Sequence, residues 1–133
     1  MDKELLKQNI ENAFANFKAA IALHENINTK RADGGWSVGE TGNHIVKSTG
    51  VDFGATQSTE RPYDKHAAAI KKLFLNYTIK FPADPSLWPD TKHYSGDEIF
   101  TSLDKNKLAV FKMISNEDLT NTCTDIELPV WGT

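Results

Sequence analysis

Between Asp2 and about Glu25 the apolar residues Leu6, Ile10, Ala13, Phe14, Phe17, Ala20 and Ile21 recur at steps of three and four. That spacing matches the turn of an α-helix, so the segment is an amphipathic helix with one stripe to bury. The same spacing returns three more times. It starts again at Ser37, runs from Tyr63 to Phe81 through Ala67, Ile70, Leu73, Phe74 and Tyr77, and resumes after Ser95 through Ile99, Leu103, Leu108, Phe111 and Ile114 to about Ser115. Helical stripes bury one another, so the expected fold class is all-α, an up-down helical bundle. The 133 residues are expected to form a single domain, 1–133, with a modest core.

The connections are marked by residues that break helices. Asn26 to Gly35 is polar and carries Asp33-Gly34-Gly35, and Glu60-Arg61-Pro62 separates the second and third stretches. Ser37-Val38-Gly39-Glu40 and Ser95-Gly96-Asp97-Glu98 both have the form of a capping box, with Trp36 placed as a hydrophobic staple before the first. Glycines at 39, 42, 50 and 54 weaken the second helix by roughly 1 kcal/mol each relative to alanine, and close approach of a neighbouring helix is the usual compensation. Pro82, Pro85 and Pro89 hold an irregular loop. Asp125 to Val130 alternates polar and apolar residues around Pro129 and reads as an extended arm, with Asp125 and Glu127 repelling each other in solvent. The last residues, Val130-Trp131-Gly132-Thr133, are apolar, and a further helix is expected in the full-length parent.

Charge and composition exclude several classes. A net charge of -3 leaves no basic stripe for a phosphate backbone, so nucleic acid is not expected as a partner. The most apolar run, Ile70 to Phe81, is interrupted by Lys71, Lys72, Asn76 and Lys80, and the N-terminus is polar and amphipathic. Neither a membrane span nor a secretion signal is expected, and the expected location is cytoplasmic. The lone cysteine, Cys123, agrees with a reducing compartment and reads as an ordinary buried or semi-exposed thiol.

The chemistry-bearing candidate is His44. On a helical wheel Val38, Gly42, Ile45, Thr49 and Phe53 share one face, Asn43 and Lys47 lie opposite, and His44 sits on the boundary. Ser48 and Asp52 follow it at four-residue steps and are placed to orient its ring. A single boundary histidine is either hydrogen-bonded and solvated or a ligand, and the sequence contains no second histidine at ligand spacing. His24 reads as a cation at the end of the first helix, His66 as a surface residue and His93 as a loop residue next to Tyr94 with no partner nearby in sequence. The sequence also lacks a Ser-His-Asp order, a phosphate-binding loop and carboxylates at glycosidase spacing.

The opening from Gly34-Gly35-Trp36-Ser37 through Glu40 to His44, following one amphipathic helix and preceding two more, resembles the DinB/YfiT-like superfamily of metal-binding four-helix bundles. Thr120-Asn121-Thr122-Cys123 through Leu128-Pro129 to Thr133 is similar to the connection that leads into the last helix of such proteins. The resemblance implies that His44 is one of three metal ligands, the other two being an H-x-x-x-H pair on that last helix. It also implies a divalent transition metal (Ni, Zn or Fe) in the full-length parent, holding a low-molecular-weight thiol as thiolate and presenting it to a small-molecule electrophile. The implied function is a metal-dependent transferase, with a hydrolase as a variant. A non-catalytic helical binding or dimerisation module is the alternative. With one helix missing, an apolar groove lined by Phe14, Phe17, Ile45, Phe74 and Phe111 is expected to drive self-association as a homodimer.

Overall fold

The computed structural model describes residues 1–50 and 52–125. It is mostly helical, in agreement with the all-α expectation. The order is α1 (Lys3–Ala22), α2 (Val38–Thr49), β1 (Thr56–Gln57), α3 (Ala67–Phe74), a 3-10 turn (Pro85–Leu87), α4 (Gly96–Asn116) and β2 (Thr122–Cys123). Two compact units result, one from Met1–Val51 with Asp84–Glu117 and one from Asp52–Ala83 with Asp118–Thr133, each taken over its described residues. The expected Asp125–Val130 arm beyond Asp125, and the apolar terminal run, lie outside the described residues. No helix among the described residues is long and apolar enough to cross a membrane.

In the first unit α4 packs against both α1 and α2. Ile21 of α1, Tyr94 and the α4 residues Ile99 and Leu103 form the buried core, with Phe14, Phe17, Ile27, Val38, Ile45, Val46 and Phe100 packed around them. Asp2 caps α1 by accepting from the Leu5 amide at 2.9 Å. The helix ends at Ala22, short of Glu25, because its apolar stripe ends at Ile21 and the next large apolar side chain, Leu23, is 85% exposed. His24 therefore lies beyond the last turn of α1, two residues past Ala22. Ion pairs Lys18–Asp104 at 2.8 Å and Lys107–Glu11 at 2.9 Å join α1 to α4. Leu103 is fully buried while Leu108 is 65% exposed, which puts Leu108 off the core stripe expected to contain it.

The glycines of α2 do allow a close approach. A β-carbon at Gly39 would meet Tyr94, and one at Gly42 would meet Ile99 at 2.9 Å, so what is admitted is α4 together with Tyr94, two residues before its start. Asn106, on the inner side of α4, donates to the Val46 carbonyl at 2.8 Å and to Thr49 Oγ1 at 3.0 Å, satisfying the C-terminal end of α2. α4 begins after Ser95 as the sequence pattern predicts, but the Ser95 side chain makes no capping bond.

The second unit departs further from the sequence reading. α3 covers Ala67–Phe74 only, not Tyr63 to Phe81. Asn76 Oδ1 accepts from the Thr78 amide at 3.2 Å and the Thr78 hydroxyl at 2.6 Å, and this local turn competes with continuation of the helix. β1 and β2 form a short antiparallel ribbon, Thr56 opposite Cys123 and Gln57 opposite Thr122, which an all-helical reading does not contain. Gly54 (φ +68°) turns the chain so that the Ala55 amide reaches Asp125 Oδ2 at 2.8 Å. Asp125 is thus a hydrogen-bond acceptor and not merely a solvated carboxylate; Glu127 lies outside the described residues. Of the residues expected to line a dimer groove, Phe14, Phe17 and Ile45 are partly buried against the core of the first unit, Phe111 is half-buried, and Phe74 is exposed in the second unit.

Candidate functional site

His44 is positioned from both ends of its helix. Ser37, 2% exposed, caps α2 by accepting from the Glu40 amide at 3.1 Å, and its hydroxyl faces Glu40 Oε1 at 3.4 Å. The glutamate therefore reaches the cap hydroxyl. The reciprocal contact of a full capping box would go to the Ser37 amide. Gly39 donates its amide to the Ile27 carbonyl at 2.6 Å, fixing the start of α2 to the preceding loop. One turn on, the half-buried His44 ring packs against Trp36, centroids 5.1 Å apart and planes tilted by 47°.

The ring is oriented by an element not expected from the sequence. Its Nδ1 atom lies 2.8 Å from the carbonyl oxygen of Leu87, at the end of the 3-10 turn. A carbonyl only accepts, so Nδ1 is the donor; in the neutral ring Nε2 then carries the lone pair. Nε2 has no hydrogen-bond partner among the described residues, in which every buried side-chain nitrogen and oxygen is partnered. Ser48 and Asp52 do not orient the ring: Ser48 Oγ donates to the backbone carbonyl of His44 at 2.8 Å, and Asp52 Oδ1 accepts from the Gly54 amide.

The turn that supplies Leu87 is built locally and then gripped by α2. Asp84 Oδ1 accepts from the Ser86 amide at 2.9 Å and its hydroxyl at 2.6 Å, and those bonds hold its carboxyl below the ordinary range. Pro85 sits at the first position of the turn. From α2, Lys47 Nζ donates to the Trp88 carbonyl at 2.7 Å and to Asp90 Oδ1 at 2.8 Å, while Asn43 Oδ1 accepts from the Asp90 amide at 3.0 Å. The Lys47 hydrogen bond, then its charge, lowers the pKa of Asp90. Tyr94 hydroxyl donates to the Asp90 carbonyl from the core side. Asn43 and Lys47, which the helical wheel puts opposite the Val38–Ile45 face, are half-buried against the 84–90 loop, a role their spacing does not reveal. The proline spacing and Asp84-Pro85-Ser86 were the available signals for a structured turn.

The remaining candidates are scattered. His93 Nε2 faces Asn28 Nδ2 at 3.2 Å, a partner 65 residues away; the same amide donates to the Tyr94 carbonyl and accepts from the Tyr94 amide. His24, His93 and Asn28 line one cavity of about 500 Å³ with Ile21, Tyr94 and Phe100, and His44 is not in its lining. His66 is half-buried at the start of α3, where its side chain makes no capping bond. Cys123 is a half-buried free thiol in β2.

A divalent transition metal needs three or more protein ligands. Among the described residues no three His, Cys, Asp or Glu side chains come together, so these residues supply one imidazole and do not by themselves fit a metal. No protein-family model, curated protein or solved structure matches this chain.

Proposed function

We propose that this chain forms the helical body of a DinB-type metal-dependent transferase that acts on a small electrophile with a low-molecular-weight thiol, and that His44 Nε2 is one of the metal-binding atoms. The supporting observation is the state of the His44 ring. A ligating histidine normally gives its other N–H to a carbonyl or carboxylate, which fixes the tautomer and the ring plane. His44 has that arrangement, with Nδ1 on the Leu87 carbonyl, Trp36 against the ring and Nε2 left as an acceptor. The resemblance assigns the other two imidazoles to a last helix of such proteins, and the described residues contribute one imidazole and the framework that aims it.

The test is metal stoichiometry in a protein extended through the downstream helix. One metal per chain in the wild type, lost on His44→Ala with helicity retained, is the expected result. Metal retained in the His44→Ala protein, or a downstream sequence lacking a histidine pair, rejects the assignment.

The alternative of a helical dimerisation module has its own support in the second unit, where Phe74, Leu75, Tyr77, Ile79 and Phe81 are all exposed and the Phe74 and Phe81 rings lie 5.8 Å apart. Light scattering decides it: a dimer that Phe74→Glu converts to a monomer supports this reading, and a monomeric wild type removes it.

A further inference from the structure

The Leu87 carbonyl is a main-chain group, so what fixes its position is whatever holds the loop that carries it. Upstream, the Asp84–Ser86 turn sets the start of the 3-10 element through bonds made within three residues. Downstream, the chain after Leu87 is held from outside. Lys47 takes the Trp88 carbonyl and the Asp90 carboxylate, Asn43 takes the Asp90 amide, and Tyr94 takes the Asp90 carbonyl. Asn43, His44 and Lys47 lie within about one turn of α2, so this short stretch makes four hydrogen bonds to three loop residues, Leu87, Trp88 and Asp90, with only Pro89 between them left out.

We infer that Asn43 and Lys47 are positioning residues for His44. By gripping Trp88 and Asp90 they keep the Leu87 carbonyl against Nδ1, and so hold the ring in the tautomer that presents Nε2 outward. This rests on the reading of His44 as a ligand for its functional meaning, but the clasp and the tautomer it enforces belong to this chain alone. The arrangement suits a ligand that has to be aimed before anything binds. A free histidine side chain in water favours the opposite, Nε2–H form, so an Nδ1–H ring has to be imposed by a neighbour. A hydrogen bond to a carbonyl imposes it only while the carbonyl stays in place. Lys47 suits the task because its ammonium has three donors and can serve a carbonyl and a carboxylate at once. Asn43 adds an uncharged contact, insensitive to salt, on the same Asp90.

The experiment reads the His44 ring directly, by long-range proton–nitrogen NMR of the 133-residue chain at about pH 9, where histidine side chains are neutral. The wild type is expected to show Nδ1–H as the dominant form. The Asn43→Ala/Lys47→Met double variant should lose that dominance and give a mixture of tautomers, with α-helical circular dichroism unchanged, while Lys47→Arg should keep the wild-type pattern. Should the double variant lose helicity, Asp90→Ala, which removes only the exposed carboxylate end of the Lys47 contact, takes its place and should shift the ring part of the way. A wild-type ring in the Nε2–H form, or a folded variant that keeps the wild-type pattern, overturns the proposal. Metal affinity of the extended protein separates this from the ligand reading. If both hold, Lys47→Met weakens metal binding by about 10–100-fold. A tautomer shift with metal binding unchanged overturns the ligand assignment and leaves the clasp standing.

Discussion

Gly39 in α2 and Tyr94 before α4 are so close that a β-carbon added at Gly39 would stand 2.8 Å from Tyr94 Cβ. The obstacle is the base of a side chain that is 3% exposed and tied by its hydroxyl to the Asp90 carbonyl, so it cannot step aside. At Gly42 the nearest atom is Ile99 Cδ1 at 2.9 Å, the far end of a flexible side chain. Two substitutions with the same helix-propensity gain, about 1 kcal/mol, should therefore diverge. Gly39→Ala should destabilise the first unit by about 1–3 kcal/mol, and Gly42→Ala should be neutral within about 1 kcal/mol. Urea denaturation midpoints of the two variants check this, and equal midpoints would contradict the packing.

Leu103 and Leu108 offer a second contrast within one helix. Leu103 has no exposed surface, so Leu103→Ala should lose about 2–5 kcal/mol through lost burial and the cavity left behind. Leu108, 65% exposed, should tolerate alanine within about 0.5 kcal/mol. A comparable loss at both positions would mean that α4 is rotated about its axis.

Acid should weaken the α1–α4 and α2–loop contacts. Asp104 is lowered from the ordinary 3.8, chiefly by its hydrogen bond to Lys18, and Asp90 is lowered chiefly by its hydrogen bond to Lys47. A carboxyl whose folded pKa is depressed binds fewer protons folded than unfolded, so its contribution is fully present above about 3.8 and disappears as pH falls through the lower folded value. The Asp104→Asn/Asp90→Asn protein should therefore show a shallower fall of stability between pH 5 and pH 2. Thermal midpoints across that range measure it, and an unchanged slope would count against both pairs. Both carboxylates are exposed, so the effect is small and should shrink further in high salt.

Alkali acts on Tyr94. Burial, then the charges of Asp90 and Glu40, raise its pKa above 10.0, against the opposing hydrogen bond to the Asp90 carbonyl. The neutral phenol is thus favoured by folding, and its contribution is present below 10.0 and lost as pH rises through the raised folded value. Tyrosinate absorbance should contain a late component that Tyr94→Phe removes. Loss of an early component instead would place the phenol in solvent.

The helical class of this protein, and its punctuation, are written in local sequence. Periodic apolar residues gave α1 and α4 nearly to their ends, and Ser37 and the residues around Ser95 marked where α2 and α4 begin. Those signals are legible because each depends on contacts within a turn or so of the chain. The third helix misled for the same reason: the spacing continues to Phe81, but Asn76 and Thr78 form a competing turn, and the exposed Phe74, Tyr77 and Phe81 show that no buried face among the described residues enforces the helix.

His44 was visible as a candidate because it stands at the edge of an amphipathic helix, yet the group that orients it was not. Leu87 is 43 residues away and contributes a backbone carbonyl, an atom every residue carries and no side-chain pattern reveals. The partners of Asn43 and Lys47, the β1–β2 pairing and the Asn28 link to His93 are equally distant in sequence. Sequence by itself determined that α1, α2 and α4 coil and where they begin, since that follows from spacing and local hydrogen bonding. Tertiary structure alone decided which loop closes over α2 and which nitrogen of His44 is left to accept, because a hydrogen bond to a main-chain atom is specified by where the folded chain places it.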